Sequence, residues 1–236
     1  MNRITAVSTA CFVLSLRCAG ASPADNFNLT HWKLQLPLPG NGREAVQEVN
    51  GDELQKGFTS EFFYSGPGGT MVFWAPVTGS RTPNTKYPRT ELREMVPADW
   101  PLTAHRAMSA TCRVLQVPGT GKVVIGQIHG SDRGGEVCKL LWSRGRIEYH
   151  YKDDTGHELT APLGKAALGE RFSYQIRCAD DVITVTVGDQ SASHSYVAKK
   201  WQSDRYYFKA GDYCQDNAGA ATDGARVEFS SLQTNP

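Results

Sequence analysis

Residues 122–151 read KVVIGQIHGSDRGGEVCKLLWSRGRIEYHY, and this stretch decides the fold class. Three strand-like runs, at 122–129, 137–142 and 146–151, are rich in the β-branched and aromatic residues that fit a pleated sheet. Short segments containing Gly separate them, as expected for turns. Because connections this short join neighbouring antiparallel strands, the stretch predicts an antiparallel sheet.

The same pattern continues in both directions along the chain. Further strand-like runs lie at 31–36, 70–74, 90–95, 107–117, 172–178, 182–187, 206–215 and 226–232. Helical periodicity is scarce, and the three segments that could form short helices are 52–56, 165–169 and 197–202. Many short strands with regular turns predict an all-β fold, namely a sandwich or jelly roll of two antiparallel sheets.

Composition limits the classes of function. The chain has 236 residues, 40% of them hydrophobic and 21% charged, which suits one domain with a substantial core. Its 25 Lys and Arg against 24 Asp and Glu give a formal net charge of +1. Because no general basic field exists, we expect no nucleic-acid partner. No repeat or linker divides residues 22–236, so they are predicted to form a single domain.

The amino terminus has the features of a secretory signal peptide. A positive start at Arg3 precedes an apolar run over 4–16, and a small-residue cleavage site follows at 19–21. Arg17 interrupts the run, which is too short to anchor the chain in a membrane. Residues 1–21 therefore predict export, to the extracellular space or the periplasm.

Four cysteines remain after the predicted cleavage. An even number in an exported chain predicts one or two disulfide bonds, whose connectivity the sequence leaves open because four cysteines allow three pairings. The four are Cys112, Cys138, Cys178 and Cys214.

Several common catalytic signatures are missing from the sequence. It contains no GxSxG elbow, no GxxxxGK[ST] phosphate loop and no GxGxxG fingerprint. His157 and Glu158 begin a zincin-like pair, but Ala161 stands where the second histidine would be needed. We therefore expect neither a metal nor an organic cofactor.

Three strand-like segments, 89–93, 127–129 and 207–215, carry unusual polar faces. Side chains two residues apart on a strand share a face, so each segment presents a row of polar groups. Each row alone is typical of a solvated outer face with ion pairs of little energetic value. Together they offer cations, a carboxamide, an imidazole and a phenol. The rows are Arg89, Glu91 and Arg93; Gln127 and His129; and Tyr207, Lys209, Gly211, Tyr213 and Gln215.

This set suits β-elimination on a uronic-acid polymer. Removing the C5 proton of a uronate builds negative charge on the adjacent carboxylate, which donors such as Arg89 and Gln127 would neutralise. A base must take that proton and an acid must protonate the O4 leaving oxygen, with His129 and Tyr213 as candidates. A nearby cation such as Lys209 or Arg93 is expected to favour the phenolate of Tyr213 and help it act as a base.

The segments that carry this chemistry resemble the signature motifs of alginate lyases of polysaccharide lyase family 7. The three motifs are RTELRE at 89–94, QIH at 127–129 and YFKAGDYCQ at 207–215, in that order. WKLQLP at 32–37 and FWAP at 73–76 also resemble this family. The resemblance spans nearly the whole chain after residue 21.

The resemblance implies a β-jelly roll with a concave groove that binds alginate. It gives Arg89 and Gln127 as carboxylate neutralisers, His129 as neutraliser or base, and Tyr213 as acid, or acid and base together. The groove-lining, substrate-binding residues that it implies are Glu91, Arg93, Lys209 and Gln215. Arg89, Arg93 and Lys209 would concentrate positive charge there, while acids elsewhere in the chain cancel it. Asp212 and Cys214 depart from the family pattern, and alternation along the strand does not explain why Asp212 points inward.

The expected activity is that of a secreted, monomeric, endolytic lyase that leaves a 4,5-unsaturated uronate at the non-reducing end. One alternative is a lyase for another polyuronate such as glucuronan, since fold does not fix substrate. Another is a non-catalytic carbohydrate-binding jelly roll, which has no need of His129 and Tyr213. A glycoside hydrolase would need two carboxylates across the bond, and Glu91 lies between arginines that would hold it ionised.

Overall fold

The structure is a computed structural model that describes residues 21–41, 45–83, 85–132 and 135–235. These residues form two antiparallel sheets in a β-jelly roll, which confirms the predicted fold class. The eight-stranded sheet has the spatial order β10 (Glu158–Lys165), β9 (Arg146–Lys152), β8 (Glu136–Ser143), β7 (Lys122–Gly130), β14 (Tyr206–Cys214), β5 (Arg89–Glu94), β1 (Trp32–Pro39) and β2 (Val46–Val49). The seven-stranded sheet has the order β13 (Gln190–Ser195), β12 (Val182–Val187), β11 (Arg171–Ala179), β6 (Arg106–Gln116), β15 (Gly224–Thr234), β4 (Thr70–Pro76) and β3 (Phe63–Gly66).

Alternation of side chains builds the core between the two sheets. Along β6 every second side chain from Arg106 to Val114 is buried, as expected for a strand with one face inward. Phe73 on β4 packs against Phe63 and Phe229, with ring centroids 5.3 and 5.4 Å away. Aromatic side chains of the seven-stranded sheet thus pack beneath the inner face of the other sheet.

The helices are few and short, as predicted. Helix α1 spans Gly51–Gln55 and α2 spans Lys199–Gln202, close to two of the three predicted segments. The prediction of a helix at 165–169 is wrong, because Lys165 is the last residue of β10 and pairs with Arg146 of β9.

The predicted secretion signal, residues 1–21, lies outside the described residues except for its last position, so it stays a prediction. Within the described ranges, no helix is both long enough and apolar enough to cross a membrane.

The expected disulfide bonds are not present, since all four cysteines are buried free thiols. Cys112 and Cys178 lie on the seven-stranded sheet, and Cys138 and Cys214 lie on the other. No two of them oppose each other in any strand pair of the described residues. Their inward positions make them core residues.

Asp212 points inward because it ties the two sheets together. Its Oδ2 accepts a hydrogen bond of 3.1 Å from the backbone N–H of Ala75 on β4. Thr90, directly opposite it on β5, donates from Oγ1 to the Trp74 carbonyl at 2.6 Å. This pair of contacts fixes the middle of β5 and β14 to the sheet behind them.

Candidate active site

The order of strands brings the three polar rows together. β14 lies between β7 and β5, so Lys209 is opposite Gln127 on one side and Arg93 on the other. Tyr213 is opposite Arg89 in the same way. All these side chains project from the face of the eight-stranded sheet that points away from the core.

Glu91 is the centre of this surface, although it is fully buried. Its carboxylate lies 2.6 Å from Nζ of Lys209 and 3.0 Å from Nη1 of Arg89, and it also accepts a hydrogen bond from Nε2 of Gln127. Burial alone would raise the pKa of Glu91, but these cations and donors outweigh it and lower the pKa. Glu91 therefore stays ionised and organises its neighbours, which disfavours it as a general acid.

The two cations beside Glu91 are themselves buried. Lys209 is 3% exposed, and its Nζ also donates to Oε1 of Gln35 at 3.2 Å. Burial and the charge of Arg89 lower the pKa of Lys209 to about 8. Arg89 is 5% exposed, and its guanidinium carbon lies 3.8 Å from the centroid of the Tyr213 ring. Within the described residues, Nε of Arg89 has no hydrogen-bond partner.

His129 is held as a neutral imidazole. Burial and the nearby charge of Lys209 lower the pKa of His129 to about 4. Its Nδ1 lies 2.9 Å from the carbonyl oxygen of Gly130 and 3.0 Å from the hydroxyl of Tyr207. Because a carbonyl oxygen can only accept, the single ring proton belongs on Nδ1. Nε2 is then left with a free lone pair, as a base requires.

Tyr213 keeps its proton at neutral pH. Burial raises the pKa of Tyr213 above its ordinary value, and the charge of Arg89 offsets this only in part. The expectation that a cation such as Lys209 makes Tyr213 a phenolate is therefore wrong in its net direction. A protonated phenol is suited to act as an acid.

Arg93 and Gln215 also lie at the site, but their polar groups are already engaged. Arg93 contacts both carboxylate oxygens of Asp99 from Nη2, at 3.0 Å each, and its guanidinium carbon lies 3.8 Å from the centroid of the Tyr207 ring. Nε2 of Gln215 donates to the carbonyl of Tyr213 at 3.1 Å.

The acids that balance the site cations lie inside the site, which corrects the expectation that they lie elsewhere. Arg89, Arg93 and Lys209 face Glu91 and Asp99 at salt-bridge distance. The formal charge of this group is therefore +1 rather than +3. These five side chains therefore keep a small excess of positive charge with which to meet one substrate carboxylate.

Two adjoining clefts, of about 210 and 560 Å³, run across these strands. Both are lined by Thr85, Arg89 and His129. Gln127, Tyr213 and Gln215 line the larger cleft, and Arg93 and Lys209 line the smaller one. The predicted catalytic residues therefore share one groove, with open space on both sides of Arg89 and His129.

Another depression, of about 350 Å³, lies on the outer face of the seven-stranded sheet. No charged side chain lines it, and its polar groups bond one another, as Gln175 does with Ser109 at 3.0 Å. This leaves no group there suited to acid–base chemistry, so the groove of the eight-stranded sheet is the candidate active site. In the described ranges, no group of three or more His, Cys, Asp or Glu side chains is arranged to hold a metal ion.

Sequence reasoning missed three residues that shape the site, namely Tyr207, Asp99 and Gln35. Alternation with Lys209 and Tyr213 already placed Tyr207 on the polar face, so its signal was present. Gln35 lies on β1 within the quoted segment WKLQLP and Asp99 in the connection after β5, but nothing in the sequence relates Gln35 to Lys209 or Asp99 to Arg93.

Comparison with known proteins gives the same family as the motifs. A sequence model of the alginate lyase family matches residues 27–236. The crystal structure of alginate lyase A1-II′, a member of polysaccharide lyase family 7, is 35% identical with a TM-score of 0.84, covering 91% of this chain and 98% of that one. A doubly substituted variant of A1-II′ in complex with a substrate, GGMG, is 33% identical with a TM-score of 0.83, covering 92% and 97%.

A Klebsiella pneumoniae alginate lyase is 26% identical over 98% of this chain and 96% of its own length. The matches thus extend over nearly the whole chain and its relatives, and they include the strands that carry the groove. The chain belongs to the alginate lyases of polysaccharide lyase family 7.

Proposed function

We propose that this lyase is exported and cleaves the 1,4-glycosidic bonds of alginate by β-elimination from within the polymer. Its products would be oligosaccharides with a 4,5-unsaturated uronate at the non-reducing end. The observation that carries this proposal is the convergence of Arg89, Gln127, His129 and Tyr213 on one groove.

Carboxylate neutralisation is assigned to Arg89 and Gln127. Glu91 fixes one nitrogen of each, so both donors are already oriented before the substrate arrives. Preorganised donors of this kind stabilise charge that develops in the transition state without reorganising at that moment. The remaining N–H groups would meet the carboxylate of the sugar whose C5 proton is removed.

Proton transfer is assigned to His129 and Tyr213. Nε2 of His129 takes the C5 proton, the electron pair forms the C4–C5 double bond, and the C4–O4 bond breaks. Tyr213 gives its phenolic proton to O4, and the imidazolium and phenolate then exchange protons with solvent. At neutral pH the lowered pKa leaves His129 unprotonated and the raised pKa leaves Tyr213 protonated, which are the protonation states that these two roles need.

Open space on both sides of Arg89 and His129 supports endolytic cleavage, since a chain can extend past the reacting sugar in either direction. The GGMG substrate of the related A1-II′ variant supports alginate as the polymer. Every proposed catalytic group comes from one chain, which supports a monomer as the working unit. The leader-like residues 1–21 support export.

The test is to mix the protein with poly-mannuronate, poly-guluronate and mixed-block alginate, with glucuronan as the control polymer. We expect ultraviolet absorbance from the conjugated unsaturated uronate to rise with alginate and not with glucuronan. Chromatography of a time course should show intermediate oligosaccharides first.

No absorbance rise with any alginate block would overturn the proposed reaction, and binding without a rise would favour a carbohydrate-binding module. Activity on glucuronan alone would favour the alternative polyuronate. Release of monomer from the earliest time points would contradict endolytic cleavage.

A further inference from the structure

We propose that Tyr207 is a positioning residue that fixes the tautomer and the ring plane of His129, so that Nε2 faces the groove with a free lone pair. This inference deepens the proposed function, since it concerns the assigned base. It rests on contacts that the family motifs do not by themselves explain.

The contacts of Tyr207 with His129 are of two kinds. The Tyr207 hydroxyl lies 3.0 Å from Nδ1 of His129, and the two rings stack with centroids 5.4 Å apart and planes inclined by 26°. The two residues are directly opposite each other on β14 and β7. One contact reaches the ring nitrogen and the other restricts rotation of the ring.

The Nδ1 proton has two acceptors in this arrangement. The Gly130 carbonyl, at 2.9 Å, can only accept, and the Tyr207 hydroxyl oxygen can accept as well. A proton shared between these two oxygens favours the Nδ1–H form over the Nε2–H form. The hydroxyl of Tyr207 therefore strengthens a preference that one carbonyl would set more weakly.

Tyr207 is in turn held by Arg93. The guanidinium carbon of Arg93 lies 3.8 Å from the centroid of the Tyr207 ring, and Nη2 of Arg93 donates to both carboxylate oxygens of Asp99. His129 and Arg93 thus both contact the ring of Tyr207. This gives Arg93 a role within the protein, beside the substrate-binding role expected from the sequence.

The charged and titratable groups that face His129 come from three strands, and one of them is Glu136, which is directly opposite His129 on β8. Lys209 and Tyr207 lie on β14, and Glu91 and Arg89 lie on β5. Of these, Tyr207 is the one whose hydroxyl touches Nδ1. Removing that hydroxyl should therefore change the tautomer preference and leave the neighbouring ion pairs in place.

The test uses Tyr207→Phe, which keeps the ring and removes the hydroxyl, with Tyr64→Phe as the matched control. Tyr64 lies on β3, at the edge of the other sheet. Two-bond nitrogen–proton NMR of the histidine rings, assigned with a His129→Asn sample, reports which nitrogen carries the proton. We expect Nδ1–H alone in the unaltered protein and in Tyr64→Phe, and a mixture of tautomers in Tyr207→Phe.

The kinetic readout should separate positioning from substrate binding. We expect kcat of Tyr207→Phe to fall roughly 10-fold with KM unchanged. This is less than the 10²–10⁴-fold contribution of a general base, because the Gly130 carbonyl remains as an acceptor for the Nδ1 proton. A merely structural role would lower the melting temperature and leave the tautomer as it was.

An Nε2–H signal for His129 in the unaltered protein would overturn the proposal, whether or not Tyr207→Phe folds. So would a Tyr207→Phe spectrum identical to that of the unaltered protein, or a rise in KM at constant kcat. Because the spectrum needs no substrate, it tests the positioning role even if the protein fails to cleave alginate.

Discussion

Glu91 shows how one buried acid can serve a site for an acidic polymer. It neutralises part of the charge of Lys209 and Arg89, and it orients Arg89 and Gln127 by direct hydrogen bonds. Breaking a buried ion pair by removing one partner leaves the other charge unpaired in the interior. The Glu91 carboxylate therefore stabilises the buried charges of Lys209 and Arg89 and holds the Gln127 amide beside them in the absence of substrate.

Tyr213→Phe should abolish nearly all turnover while substrate binding survives. The change removes only the oxygen that gives a proton to O4, and acid catalysis of this kind contributes about 10²–10⁴-fold. Initial rates and KM on alginate, together with equilibrium binding, measure the effect. A variant that keeps substantial activity would assign the acid to another residue.

The pH dependence of kcat/KM should report His129. Burial and the charge of Lys209 lower the pKa of His129 to about 4, so the imidazole becomes protonated only in acid solution. Since protonation removes the Nε2 lone pair, activity should fall as the pH drops through about 4. Lys209→Gln removes the nearby cation and should move this acid limb to higher pH.

Rates on short, soluble oligouronates across this pH range provide the measurement. Arg81→Gln is a suitable control, because Arg81 is an exposed cation whose Nη1 donates to the Lys86 carbonyl. An acid limb that stays in place in Lys209→Gln would show that this charge does not control His129.

Among the secondary structure elements, the interior strands were predictable and the edge strands were not. The sequence predicted every interior strand, but not β2, β10, β3 and β13, which are the outer strands of the two sheets. β13 reads QSASHS, and β10 contains both Pro162 and Gly164. Edge strands have a free side and tolerate polar residues, Pro and Gly, so their sequences lack the pattern of a buried strand.

Gly211 is the position in β14 where a side chain is least tolerable. Its φ is +142°, and a Cβ there would come 2.7 Å from the Thr90 carbonyl oxygen. Gly211→Ala should lower the free energy of unfolding by about 1–3 kcal/mol, because backbone strain of this kind has that cost. It should also lower activity, since β14 carries Lys209 and Tyr213.

Urea denaturation of Gly211→Ala beside Gly135→Ala tests this prediction. A Cβ at Gly135 meets no atom within 4 Å, so we expect that control to unfold within about 0.5 kcal/mol of the unaltered protein. Equal stability of the two variants would contradict the strain at Gly211.

At the scale of the whole molecule, Asp212 should make stability depend on pH. Burial raises the pKa of Asp212 well above its ordinary value, so the folded state keeps the proton that the unfolded state releases. A carboxyl group whose pKa is raised on folding adds to the free energy of unfolding. This stabilisation is complete below the pKa of the unfolded chain, about 3.9, and is lost as the pH rises toward the pKa in the folded state. Relative to an untitratable variant, the protein should lose stability as the pH rises above about 4.

Asp212→Asn keeps an oxygen for the Ala75 N–H and removes the titration. Denaturation of both proteins from pH 4 to 8 should give free energies of unfolding that diverge. The unaltered protein should lose about 1.4 kcal/mol for each pH unit over which Asp212 is protonated in the folded state and ionised in the unfolded state. Parallel profiles would mean that Asp212 is ionised in the folded state.

The all-β class, the interior strands and the polar face of each motif could be predicted from the order of residues. Those properties depend on alternation along one strand, which is local. The tertiary structure decided that β14 lies between β7 and β5, that Asp99 and Gln35 join the site, and that the cysteines stay unpaired. It also raised the pKa of Tyr213 and lowered that of His129, because burial and the distances to charged groups on neighbouring strands set these shifts, and both depend on how the strands pack.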